Sequence, residues 1–123
     1  MKNYGKELIL DLHNCNSTLF TRKHIRKYFK ELCLLIDMER EAIHWWDYKG
    51  HPEEYALAPP HLKGTTAVQF IKTSNITIHA LDDLRKIYLN IFSCRDFDEN
   101  VVIKFTESWF EGRLANQSIV SRI

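Results

Sequence analysis

Apolar residues recur along this chain with two different periods, and the switches between them predict its elements. In residues 7–13, "ELILDLH", strand-forming side chains gather close to the N-terminus, which predicts a first β-strand. Over residues 22–38 the spacing changes. Ile25, Phe29, Leu32, Cys33 and Ile36 fall three and four apart and so share one face of a helix. "EAIHWWDY", residues 41–48, is short and aromatic and reads as a second strand. Next, "KGHPEEYALAPPHLKG" carries three prolines and two of the four glycines, so residues 49–63 are expected to form a long loop and not an element. "TTAVQFIKT", "NITIHAL" and "KIYLNIFSC" then read as three more strands. In "DENVVIKFTESWFEG", Val101, Val102, Phe105 and Trp109 return to helical spacing, with Asp96 or Asp98 as the N-cap and Gly112 as the stop. "QSIVSRI" adds a last, short strand.

Strand, helix, a run of strands, helix, strand is the order of an α+β fold. The expectation is a two-layer sandwich, a mainly antiparallel sheet with helices packed on one face. At 123 residues and 45% hydrophobic, the chain suits one domain over residues 1–123. Its 17 Lys and Arg against 16 Asp and Glu leave a net charge of +1, so the balance draws it neither to nucleic acid nor to an anionic membrane. A basic cluster at Arg22, Lys23, Arg26, Lys27 and Lys30 could bind phosphate, but it reads better as the solvated face of the first helix. No apolar run approaches the ~18 residues that would span a bilayer, and three cysteines without CxxC spacing argue against a disulfide framework or a zinc knuckle. A soluble, cytoplasmic protein without a metal is expected.

Candidate chemistry centres on "KTSNITIHALDD", residues 72–83. Strand alternation sets Ile76 and Ile78 on one face, Thr77 and His79 on the other. The same rule groups Tyr88, Asn90, Phe92 and Cys94 on one side of the next strand. If the two strands pair in the matching register, His79 and Cys94 join one polar patch. Taken singly, each has an ordinary structural role, a satisfied strand histidine and a small packing residue.

Several separated stretches together resemble the small prokaryotic S-adenosylmethionine decarboxylases, which are pyruvoyl enzymes. "SNITIHALDD" stands where that family has a serine and "HxxIHTWPE", and "FSCRD" where it has "FTCGD". Ser74, His79 and Cys94 fall at the family's spacings of five and fifteen residues. "YGKELILDLHNCN" is similar to "LGRHLVLDLYGCD", and "GTTAV" to "GVSGV", with Thr66 in place of the usual serine. The resemblance runs along most of the chain and leaves out the proline-rich stretch, where this chain is longer.

The resemblance implies a cofactor made from the chain itself. Ser74 would attack the carbonyl of Thr73, and the chain would be cut into residues 1–73 and 74–123, the second piece headed by a pyruvoyl group. His79 would take a proton during that processing, and Thr66, a substitution, would assist it. In the mature enzyme the pyruvoyl ketone would form a Schiff base with the substrate amine and act as electron sink, and Cys94 would return a proton after carbon dioxide leaves. An unperturbed thiol pKa of ~8.5 suits a proton donor. The small-molecule substrate would be S-adenosylmethionine, decarboxylated toward spermidine and related polyamines, by a homodimer whose two halves both contribute to each site. A metal is not required.

Departures bear on the substrate. Ala80, Leu81, Asp82 and Asp83 replace "TWPE", so the aromatic expected to meet the nucleoside is missing and the ribose-binding glutamate becomes at best Asp83. Tyr4, Trp45, Trp46 and Tyr55 are candidate replacements for the ring. Thr73 and Asn75 replace the family's glutamate and histidine around the cut. Two alternatives stay open: a pyruvoyl decarboxylase of arginine or ornithine, with Asp82 or Asp83 paired to the distal cation, or an unprocessed, non-catalytic binding homologue.

Overall fold

In the computed structural model, which describes residues 3–123, six antiparallel strands form one sheet in the order β2-β3-β4-β5-β1-β6. The strands are β1 (Gly5–His13), β2 (Arg40–Trp46), β3 (Gly64–Ile71), β4 (Ser74–Leu81), β5 (Lys86–Ser93) and β6 (Arg113–Arg122). Alternation decides which face is covered. Leu8, Leu10, Leu12, Ile76, Ile78, Ile87, Leu89 and Ile91 are fully buried, while the residues between them are not. Against that apolar face pack the helices α1 (Arg22–Leu35) and α3 (Glu99–Phe110), which gives the expected α+β sandwich.

Each helix has a cause at its ends. Thr21 caps α1 by accepting from the His24 N–H at 3.1 Å, and Asp98 caps α3 by accepting from Asn100 and Val101. The first helix stops three residues short of the expected end, because Asp37 turns the chain with φ 56°. Ile25, Phe29, Leu32, Cys33 and Ile36 are buried as expected, with Tyr28 added to them. The stripe on α3 is rotated from the expected one. Val102, Ile103, Thr106 and Phe110 are buried and Val101 is exposed, since the Thr106 hydroxyl meets Tyr28 Oη at 2.7 Å in the seam between the helices. The left-handed residue after α3 is Glu111, φ 51°, and not Gly112. Gly112 is needed for space, because a Cβ there would lie 2.4 Å from Cys15 Sγ.

Two other expectations change. The proline-rich stretch is not structureless: it holds the short helix α2 (Pro52–Leu57) and a 3-10 turn at Pro60–Leu62. Pro52 starts α2 because the first helical position needs no N–H, and Glu53 and Glu54 suit the first turn. The last strand is ten residues long and nearly all exposed, held by its ladder to β1.

Opposite the helices, the sheet presents an open face. One row across it runs Phe70, Asn75, Phe92, Glu7 and Val120, and a row near the other end runs Thr66, His79, Tyr88, Asp11 and Asn116.

Candidate active site

Everything of interest lies at the two ends of β4. At its start, β3 and β4 form a hairpin with Ile71 opposite Ser74 and only Lys72 and Thr73 between them. Thr73 has φ 55°, a region suited to glycine or asparagine in such a turn and crowded for a β-branched side chain. A backbone of this kind stores about 1–3 kcal/mol where the surrounding structure enforces it. Here the ladders on both sides do so.

The bond after that strained residue leads to Ser74, which is almost wholly buried. Its Oγ accepts a hydrogen bond from the Cys94 N–H at 3.1 Å. The Thr73 hydroxyl lies 3.4 Å from Cys94 Sγ and 2.7 Å from the Lys72 carbonyl, with one proton to give to either. Hydrogen bonds from the Thr73 and Ser74 hydroxyls lower the pKa of the Cys94 thiol, helped by Arg95 and opposed by partial burial. A sequence reading from the unperturbed thiol alone overlooks this. A cavity of about 320 Å³ opens here, lined by Met38, Glu39, Ile71, Ser74, Cys94 and Arg95. The strand β1 comes close to Cys94 because Gly5 has no side chain; a Cβ on it would lie 2.0 Å from the Ser93 carbonyl oxygen.

Near the other end of the strand, Thr66 and His79 face each other on β3 and β4, with Oγ1 and Nδ1 2.8 Å apart. They line a second cavity, of about 280 Å³, with Trp46, His61, Leu62 and Leu81. Ser74 and His79 are separated along one strand by five residues, roughly 17 Å at 3.3 Å per residue. The patch expected to join His79 with Cys94 therefore does not form within one chain: His79 pairs with Tyr88 and Asn75 with Phe92, which leaves Cys94 beyond the Ser74 end. The site residues fall into two groups, Thr73, Ser74 and Cys94 at one end, Thr66 and His79 at the other.

Both aspartates after β4 are engaged within the chain. Tyr55 donates to Asp82 at 2.5 Å, and Asp83 lies 3.5 Å from Lys63. Burial raises the Asp82 pKa, against the pull of the Tyr55 hydrogen bond, and the Tyr55 phenol is pushed up to about 12, first by that same bond. Among the four candidate rings, Trp45 packs toward the core beneath Arg22 and Arg26, and Tyr55 is tied to Asp82. Two remain open. Trp46 is 57% exposed beside His79, and Tyr4 is 52% exposed, stacked on Phe92 near Cys94. Glu39, Arg95 and Gly5 were not singled out by sequence. The glycine at a strand start and the arginine replacing glycine in "FSCRD" were the available signals.

Among the described residues, no group of three or more His, Cys, Asp or Glu side chains is placed to hold a metal ion, and no helix is long and apolar enough to cross a membrane. A half-covered antiparallel sheet with a strained, serine-bearing hairpin beside a cysteine defines an α+β protein whose candidate site residues lie toward the two ends of a central strand. Residues 6–122 match the family model described as S-adenosylmethionine decarboxylase, and the chain belongs to that family. A search of curated proteins gave no match.

Proposed function

We propose that this chain is a self-cleaving, pyruvoyl-dependent decarboxylase of S-adenosylmethionine that serves polyamine synthesis in the cytoplasm. The observation that carries the reading is the left-handed Thr73 immediately before a Ser74 whose Oγ is held by the Cys94 N–H. This arrangement fits a cofactor made in place. The serine oxygen adds to the Thr73 carbonyl carbon, the C–N bond breaks, and an ester replaces the peptide. Loss of the residue 74 α-proton and of the ester oxygen leaves a Thr73 carboxylate and dehydroalanine, which hydrolyses with release of ammonia. Strain at Thr73 is relieved as the planar peptide is lost, which favours the first step. The resulting pyruvoyl group supplies an electron sink for decarboxylation. Cys94, beside it, is the proton donor of this reading, and His79 with Thr66 the group that handles protons in processing.

One chain holds those two groups far apart, and this supports the homodimer reading. With the open faces of two copies packed about 10 Å apart and a two-fold axis across the strands, the Thr66 and His79 end of one copy meets the Ser74 and Cys94 end of the other, twice over. Trp46 and Asp83 would then reach the site from the partner side and Tyr4 from the same side as Cys94. The engagement of Asp82 by Tyr55 and of Asp83 by Lys63 weighs against these two aspartates as the partners of an arginine or ornithine cation.

Two measurements test this. Denaturing mass spectrometry of the purified protein is expected to give two pieces, divided between Thr73 and Ser74, and a single chain for Ser74→Ala. Release of carbon dioxide from S-adenosylmethionine, and not from arginine or ornithine, is expected of the cut protein. An uncut wild-type chain after long incubation would remove the pyruvoyl mechanism.

A further inference from the structure

Cys94 has unlike neighbours before and after the proposed cut, and that difference rests on the cleavage reading above. In the intact chain Sγ faces the Thr73 hydroxyl at 3.4 Å. Cleavage converts the carbonyl carbon of Thr73, three bonds from that hydroxyl oxygen, into a carboxylate. The β3 ladder reaches Ile71, so the new chain end would be tethered only two residues from a fixed point near the cysteine. The Ser74 hydroxyl, whose oxygen meets the Cys94 N–H, disappears in the same event. We infer that Thr73 is a positioning residue that resets the proton donor: its hydroxyl favours the thiolate in the precursor, and its liberated carboxylate keeps Cys94 protonated in the mature enzyme.

The physical basis is the opposite effect of a hydrogen-bond donor and of a like charge on an acid. Before the cut, the shift is downward, with Thr73 its largest cause. After it, the Ser74 hydroxyl is gone and the Thr73 main chain carries a negative charge near Sγ, which opposes the Thr73 hydroxyl that remains. The other charged and titratable groups around Cys94 change little on cutting. Lys6 is committed to Asp96 and Glu99, and Arg95 is held by the carbonyl and carboxylate of Asp37. Glu39 lines the cavity on one side and Tyr4 the cavity of about 390 Å³ on the other. Lys72, next to the new terminus, is exposed and only partly offsets it. A thiol that stays protonated at neutral pH is what a carbanion needs as its proton source, and one that ionises early is not.

The test is the pH dependence of iodoacetamide alkylation at Cys94, located by peptide mass, in fully cut wild-type protein and in uncut Ser74→Ala. Cys15 and Cys33 are buried and pushed up to about 11, so they stay silent below that range. The half-maximal rate is expected about one pH unit or more higher in the cut protein, the size of shift a nearby carboxylate produces. Thr73→Ala in the Ser74→Ala background removes the hydroxyl without cutting and is expected to rise part of the way. Cut Thr73→Ala, which still acquires the carboxylate and loses only the remaining hydroxyl, is expected to lie at or above cut wild type. Equal or lower half-maximal pH in fully cut wild type would overturn the inference and leave the cleavage reading intact. A mass showing no cut would instead remove the cleavage reading, and the inference with it.

Discussion

A mixture of two damaged chains provides the sharpest test of how the site is assembled. Ser74→Ala has no residue to cut at, and His79→Ala lacks the group read as its proton acceptor. Within one chain, Ser74 and His79 stand five residues apart on β4, roughly 17 Å. Side-chain motion cannot close that gap, because both positions are fixed by ladders to β3 and β5. Each variant alone is therefore expected to stay uncut. Co-expressed at equal levels, random pairing puts about half of the His79→Ala chains into mixed dimers, where two-fold symmetry sets the strand end that carries their intact Ser74 against the partner copy's intact His79. About half of the His79→Ala chains, a quarter of all chains, should then be cut, and none of the Ser74→Ala chains. The readout is denaturing mass spectrometry, with sedimentation to verify that dimers form. Failure to cut in verified mixed dimers would refute the two-chain site, as would efficient cutting of His79→Ala alone.

Glycine at residue 73 takes φ 55° without steric cost, so Thr73→Gly forfeits about 1–2 kcal/mol of stored strain and should slow self-cleavage roughly 5- to 30-fold. Unchanged half-times in a mass-spectrometric time course would rule out strain as a contributor. Gly112→Ala pushes a Cβ to 2.4 Å from Cys15 Sγ and should lower stability by about 1–3 kcal/mol in urea unfolding of the Ser74→Ala chain; no change in midpoint would mean the contact relaxes freely. Asp47 is held below its usual 3.8, first by its hydrogen bond from Arg22, so its contribution is complete above that value and is lost as pH falls through the lower folded value. Asp47→Asn should therefore unfold at lower urea than its parent near about pH 6 and converge with it in acid, once pH is below the folded value; a gap that persists there would assign the effect to packing.

The strands that bury one face were legible because their alternation is strict; Ile76, Ile78, Leu89 and Ile91 needed no other information. Helix α3 was found with its stripe displaced, because Thr106 does not count as apolar although its hydroxyl is satisfied by Tyr28 and the Val102 carbonyl. Short α2 was hidden by prolines, read as breakers where Pro52 is a starter. The length of β6 was hidden by its polarity, since an edge strand can be held by backbone hydrogen bonds alone. For the candidate site, strand spacing placed the residues along their elements, but their grouping within the chain was not legible. Which of Ser74, Cys94, Thr66 and His79 stand together depends on strand register, which leaves no mark in a linear pattern.

The order of the strands also governs what a break after Thr73 does to the molecule. Residues before that point supply β1, β2 and β3, and residues after it supply β4, β5 and β6. In the sheet, β1 is threaded between β5 and β6, and β3 lies against β4. The two polypeptides would thus be interleaved and not merely adjacent, and parting them would require opening the β3–β4, β5–β1 and β1–β6 ladders together. A nicked molecule would keep every one of these ladders, yet once unfolded it would have to find its other half by collision. Maturation would in that sense be a one-way ratchet, with the fold made once as a single chain and afterwards only kept.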